Sequence, residues 1–136
     1  MTSPIGFTID LPLPYDEAIA RTRDALKAEG FGILTEIDVR STFREKLDVD
    51  FRPYLILGAC NPPLAHAALT ADASVGLLLP CNVTVEASDG GGSTVRLTDP
   101  VALLQGLAAG PELRKVAEDA RGRMVRVREA LAASRV

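Results

Sequence analysis

Two cysteines, each flanked by an asparagine and a proline, are the residues of this chain best suited to chemistry: Cys60-Asn61-Pro62 and Pro80-Cys81-Asn82. A thiol becomes a nucleophile or a metal ligand by losing its proton, and a helix N-terminus favours that loss through free backbone N–H groups and the helix dipole. Asn61-Pro62 reads as a helix start, because Asn is a strong N-cap and Pro at the first helical position forfeits no needed hydrogen bond. Cys60 therefore sits just ahead of a helix N-terminus. Cys81 falls on the strand that follows, so the two thiols can come close. That arrangement suits a thiol-dependent redox or sensor site, with Cys60 as nucleophile and Cys81 as resolving partner. The plainer alternative is two small core residues, since free cysteine is among the most buried residue types. Cys60, Asn61, Cys81 and Asn82 are the candidate site residues. Asn61 has capping work in either case, while Asn82 is expected to hydrogen-bond backbone groups freed around Pro80.

The remaining polar constellations are weaker. His66 is the only histidine. Together with Cys60 and Cys81 it would give three metal ligands, but the spacing fits no zinc pattern and a fourth ligand is missing, so no metal and no cofactor are expected. Glu36 and Asp38 lie two apart, yet Asp38 is placed to cap the next helix rather than to share acid–base work. Gly90-Gly91-Gly92 does not lead from a strand into a helix and reads as a hairpin loop, not a phosphate cradle.

The elements that must position these residues follow from pattern. Ile5–Leu11 alternates as a first strand, and Pro12 and Pro14 end it. A helix is predicted from Tyr15 to Ala28, with Tyr15, Ala18, Ile19, Thr22, Ala25 and Leu26 on its inner stripe and Gly30 as its stop. Phe31–Ile37 is a second strand. Asp38 caps a short helix to Leu47, and Tyr54–Ala59 is a buried third strand. The Asn61-capped helix runs to Thr70. Val75–Ala87 reads as one long fourth strand, with a bulge or an edge at Pro80. The glycine turn leads to a fifth strand, Thr94–Thr98. Asp99-Pro100 opens a short helix to Leu107. In the long last helix Leu113, Ala117, Ala120, Met124, Val127 and Leu131 form one apolar stripe, as a core face requires.

Three stretches carry a resemblance: Glu29 to Val39, Tyr54 to Ala65, and Gly76 to Val83, the last two specific in combination. They are similar to the bacterial and archaeal domain of unknown function family 302, over about residues 5 to 131. His66 departs from the residues associated with its position. The resemblance implies an α+β fold: a mainly antiparallel sheet of about five strands with helices on one face. That is a β-α-β4-α core with short inserted helices, related to the TATA-binding and helix-grip proteins. It also suggests a homodimer, and it implies no activity. Apolar strands at Tyr54–Ala59 and Val75–Leu79 point the same way, with Tyr54–Leu57 and Leu77–Leu79 as the expected dimer contacts.

Composition bounds the function. The chain has 136 residues, 47% of them hydrophobic, which fits a single domain spanning 1–136 with a real core. Four Phe, two Tyr and no Trp leave few rings for stacking on bases, and the net charge of −3 argues against a general nucleic-acid partner. Residues 111–136 hold seven basic and four acidic side chains, which reads as a solvated helix face. No apolar run is long enough to span a bilayer and Met1-Thr2-Ser3-Pro4 shows no signal core, so a cytoplasmic protein with reduced thiols and no membrane partner is expected. The leading expectation is a dimeric small-molecule-binding or accessory module taking a small apolar ligand. The thiol-dependent site is the alternative.

Overall fold

The computed structural model describes residues 2–133. Met1 and residues 134–136, the extreme ends of the expected domain, lie outside the described residues. In chain order the elements are β1 (Thr2–Ser3), β2 (Gly6–Leu11), α1 (Tyr15–Ala28), β3 (Gly32–Asp38), α2 (Val39–Leu47), β4 (Tyr54–Cys60) and α3 (Pro62–Ala71). A 3-10 segment over Ala73–Leu78 follows, then β5 (Cys81–Ala87), β6 (Ser93–Thr98), α4 (Pro100–Leu103), a 3-10 turn at Leu104–Gly106, and α5 (Pro111–Ala133). The sheet is antiparallel throughout, in the order β1-β2-β6-β5-β4-β3. Five full strands and the two long helices make the β-α-β4-α core, with a two-residue strand added at one edge.

Alternation along the strands decides which side is core. Phe7, Ile9 and Leu11 of β2, Leu55, Leu57 and Ala59 of β4, Val83 and Val85 of β5, and Val95 and Leu97 of β6 are all buried. They pack in one cluster with Ala18 and Leu26 of α1 and Met124, Val127 and Leu131 of α5. The apolar stripe of α5 is buried at all six expected positions. Arg121 and Arg128 lay their guanidinium groups over the Phe7 ring, 5.4 and 5.0 Å from its centroid, closing the core along β2. Arg121 also pairs with Asp99, Arg126 with Glu29 and Arg123 with Asp119. Much of the basic surplus of α5 is thus spent within the fold.

The opposite face of the sheet carries paired polar side chains, beside a buried Thr84 hydroxyl that has no hydrogen-bond partner among the described residues. Arg52 and Arg96 both bond Glu86, and the Thr94 hydroxyl donates to Asp10 at 2.8 Å. Phe43, Phe51 and Tyr54 form a chain of ring contacts at one corner of this face.

One expectation is corrected here. Val75–Ala87 is not one strand: the strand is Cys81–Ala87, and Ala73–Leu78 is a 3-10 helix. Asp72 starts that helix, its carboxylate accepting from both the backbone N–H and the hydroxyl of Ser74. Pro80 follows with no N–H to give a ladder. Of the residues expected at a dimer contact, Tyr54 and Ile56 are half-buried on the polar face of the sheet. Leu55 and Leu57 point under the helices, Leu78 and Leu79 pack into a second apolar cluster, and only Leu77 stands out in solvent. Exposed apolar side chains also lie at Leu34 and Ile37 on the edge strand β3, at Leu47 ending α2, and at Val49 and Phe51 after it.

Candidate functional site

Beyond the end of the sheet lies that second, smaller cluster: Ala68 of α3, Val75, Leu104, and Leu113 and Ala117 of α5, with Leu78, Leu79, Val101 and Val116 against it. Between it and the main core the packing leaves a cavity of about 70 Å³. Its sheet-side wall is Phe31, Ala59, Cys60 and Cys81. Its far wall is Leu64 and Ala68 of α3, Val75 and Leu79, Leu103 and Leu104, and Val116 and Ala120 of α5. Almost every exposed atom of that wall is apolar.

Each wall has a sequence reason. Asn61 is buried and its side-chain oxygen accepts from the N–H of Leu64 at 3.3 Å, which fixes the start of α3. Its amide also donates to the carbonyl of Glu29 at 3.4 Å, and Arg123 donates to the same carbonyl at 2.9 Å. One carbonyl at the end of α1 thereby ties α3 and α5 together. Gly30 makes that approach possible, with φ at +86° and a Cβ that would lie 2.9 Å from the Asn61 amide nitrogen. On the sheet side Gly58 is required for a similar reason: a Cβ there would meet the Thr35 hydroxyl and sit 2.8 Å from Cγ of Pro80.

The structure brings three of the four candidate residues together. Cys60, Asn61 and Cys81 share the cavity wall. Asn82 does not: it is exposed, pairs with Gly58 in the sheet and lies on the opposite face, where its backbone carbonyl accepts from the Thr98 hydroxyl at 2.6 Å. His66 is exposed on α3, with its carbonyl accepting from Thr70. Glu36 pairs with Arg23 and Asp38 caps α2 through Ser41, so these carboxylates have separate partners. Among the described residues no group of three or more His, Cys, Asp or Glu is placed to hold a metal ion.

The two thiols are half-buried and form no disulfide with one another. Burial pushes the Cys81 thiol up to about 11, with Cys60 adding to the shift, so at neutral pH it keeps its proton. The amide support expected for Cys60 is absent. Pro62 and Pro63 have no N–H, the Leu64 N–H is taken by the Asn61 side chain, and the Ala65 N–H is taken by the Asn61 carbonyl at 2.9 Å. The helix start that sequence placed beside Cys60 is real, but its donors are spent.

The far wall of the cavity was not legible in the sequence. Its signal is two short apolar segments with no sustained period: Val75–Leu79 reads as part of a long strand, and Leu103–Leu104 as part of a short helix.

No helix among the described residues is long and apolar enough to cross a membrane. No curated protein matches this chain. Among solved structures it is similar to the crystal structure of an uncharacterized conserved DUF302 protein from Bacillus stearothermophilus. The two are 31% identical with a TM-score of 0.84, over 95% of this chain and 99% of that one. The family model described as domain of unknown function DUF302 matches residues 7–131, and the chain belongs to that family.

Proposed function

We propose that this chain is a small-molecule-binding module whose site is the apolar cavity between the main core and the smaller cluster. The observation that carries this is the pocket itself, about 70 Å³ of space with an almost wholly apolar wall. A concave, apolar-lined space of this kind is the ordinary setting of a small-molecule site. The space suits an apolar group of a few heavy atoms, and a larger ligand would enter by displacing the short segments of the far wall. The first test is native mass spectrometry of freshly purified protein, run beside Ala65→Leu, which fills the cavity from α3. A co-purifying apolar molecule on the parent that is missing from the variant supports the reading. A parent with no bound mass, and no change when small hydrocarbons are added, counts against it.

A homodimer belongs to the same proposal. Leu34, Ile37, Leu47, Val49 and Phe51 are the exposed apolar residues that a partner copy would cover. Light scattering at micromolar concentration then gives twice the 14.4 kDa chain mass, and a clean monomer removes the dimer.

The second reading is thiol exchange between Cys60 and Cys81, favoured by their place on one cavity wall. It requires both to be protected from iodoacetamide after mild oxidation and both to label again after reduction. Labelling that oxidant does not alter would remove it.

A further inference from the structure

A second hollow, of about 310 Å³, adjoins the apolar pocket beside α4. Leu104 and Ala117 belong to both walls, so the two hollows meet across those side chains. Leu103 lines only the first and Val101 only the second, which makes α4 and the 3-10 turn after it the divider. That divider is short and held by local bonds, from the Leu103 N–H to the Asp99 carbonyl and from the Leu107 N–H to the Leu104 carbonyl. Segments of this kind open at low cost.

The two hollows differ in chemistry. No charged side chain lines the first. The second has one cation, Arg114, one carboxylate, Glu118, and one side-chain amide, Gln105. Arg114 stands apart from the other arginines of α5. Arg121, Arg123 and Arg126 are ion-paired, and Arg128 lies over the Phe7 ring. Among the described residues the Arg114 side chain has no hydrogen bond and no ion pair, not even with Glu118 one turn on. An uncommitted guanidinium beside an apolar pocket matches an anion at the end of an apolar chain.

We propose that the two hollows form one elongated site for a straight-chain carboxylic acid, with the hydrocarbon end in the apolar pocket and the carboxylate against Arg114. This rests on the pocket being a small-molecule site, and it adds the class of ligand and its direction. The Gln105 amide supplies a further donor at the same end. Glu118 repels the bound carboxylate, so the two charged residues act with opposite sign.

Octanoate and octanol, titrated into the whole chain by calorimetry, are the probes. Arg114→Gln is expected to weaken octanoate by about tenfold, the worth of one charge-assisted hydrogen bond, and to leave octanol within about twofold. Glu118→Gln tightens octanoate and leaves octanol unchanged. Both side chains are exposed, so neither variant threatens the fold. Methyl NMR on the unmutated protein reads the direction. Octanoate shifts Val75 and Leu79, which line only the first hollow, together with Val101 and Leu107, which line only the second. Shifts confined to one hollow, an octanoate affinity that Arg114→Gln leaves intact, or equal losses for acid and alcohol overturn the proposal. If octanol binds the parent and octanoate fails these tests, the acid site falls and the apolar pocket stands. If neither probe binds, both fall.

Discussion

The two apolar clusters of this domain use the same kinds of side chain and reach different results. In the main core Leu57, Val83, Val85, Val95, Leu97, Met124 and Val127 are fully buried. The side chains there are carried by a continuous antiparallel ladder and by two long helices, so their spacing is set by strand and helix geometry. The smaller cluster hangs on α3, a 3-10 segment, the four residues of α4 and the first turns of α5. Its backbone hydrogen bonds are local, and around it Leu69, Leu77 and Leu107 remain exposed. Short elements cannot interlock with the precision of a ladder. The mismatch collects at the seam as the cavity, and the segments around it belong to the low-stability end of the structure.

The largest effect separating the regions is a truncation in the main core. Leu57→Ala is expected to cost about 2–5 kcal/mol in urea unfolding, because the ladder prevents collapse onto the vacated space. A loss below about 1 kcal/mol would mean that the main core is no tighter than the seam.

A pH effect comes next, and it is specific to the seam. Cys81 has its thiol raised from the ordinary 9.0 to about 11 in the folded chain. Between those values the folded state holds the proton that the unfolded state has lost. Stability therefore falls as pH rises from about 9 to about 11, by up to about 3 kcal/mol if the full shift is realised. Below pH 9 this group contributes no slope. Cys81→Ala flattens that alkaline limb, and an unchanged limb would show that the thiol is not shielded.

Asn61→Ala removes the α3 cap and one of two donors to the Glu29 carbonyl. Arg123 still serves that carbonyl. A loss of about 1–2 kcal/mol is expected, with faster amide exchange in α3 than in β4–β6. Uniformly faster exchange would contradict separate stabilities for the two regions.

Leu77→Ser should change stability by no more than about 0.5 kcal/mol, since its side chain is 90% exposed. A loss of 2 kcal/mol or more, on the order of a core truncation, would place Leu77 in a buried contact instead.

The main core was legible because its signals are periodic. The α5 stripe at Leu113, Ala117, Ala120, Met124, Val127 and Leu131 is a 3.6-residue repeat and is buried at every position. Asp38 and Asn61 cap the helices that their residue types announce. The seam was less legible. Val75–Leu79 is apolar enough for a strand, and its composition does not register that Asp72 starts a 3-10 helix and Pro80 ends the chance of a ladder. Sequence also placed a helix start beside Cys60 without accounting for who uses its amides: two prolines supply none, and Asn61 takes the next two. Asn82 neighbours Cys81 in sequence, but strand alternation sends the two side chains to opposite faces.

Methyl NMR under xenon pressure tests the seam cavity most directly, because xenon enters apolar voids without needing a specific contact. Saturable shifts are predicted for methyls of Leu64, Val75, Leu103, Leu104 and Val116, with Val83, Val85, Val95 and Leu97 unmoved. Shifts spread evenly over both sets, or none that saturate, would contradict a binding cavity at the seam.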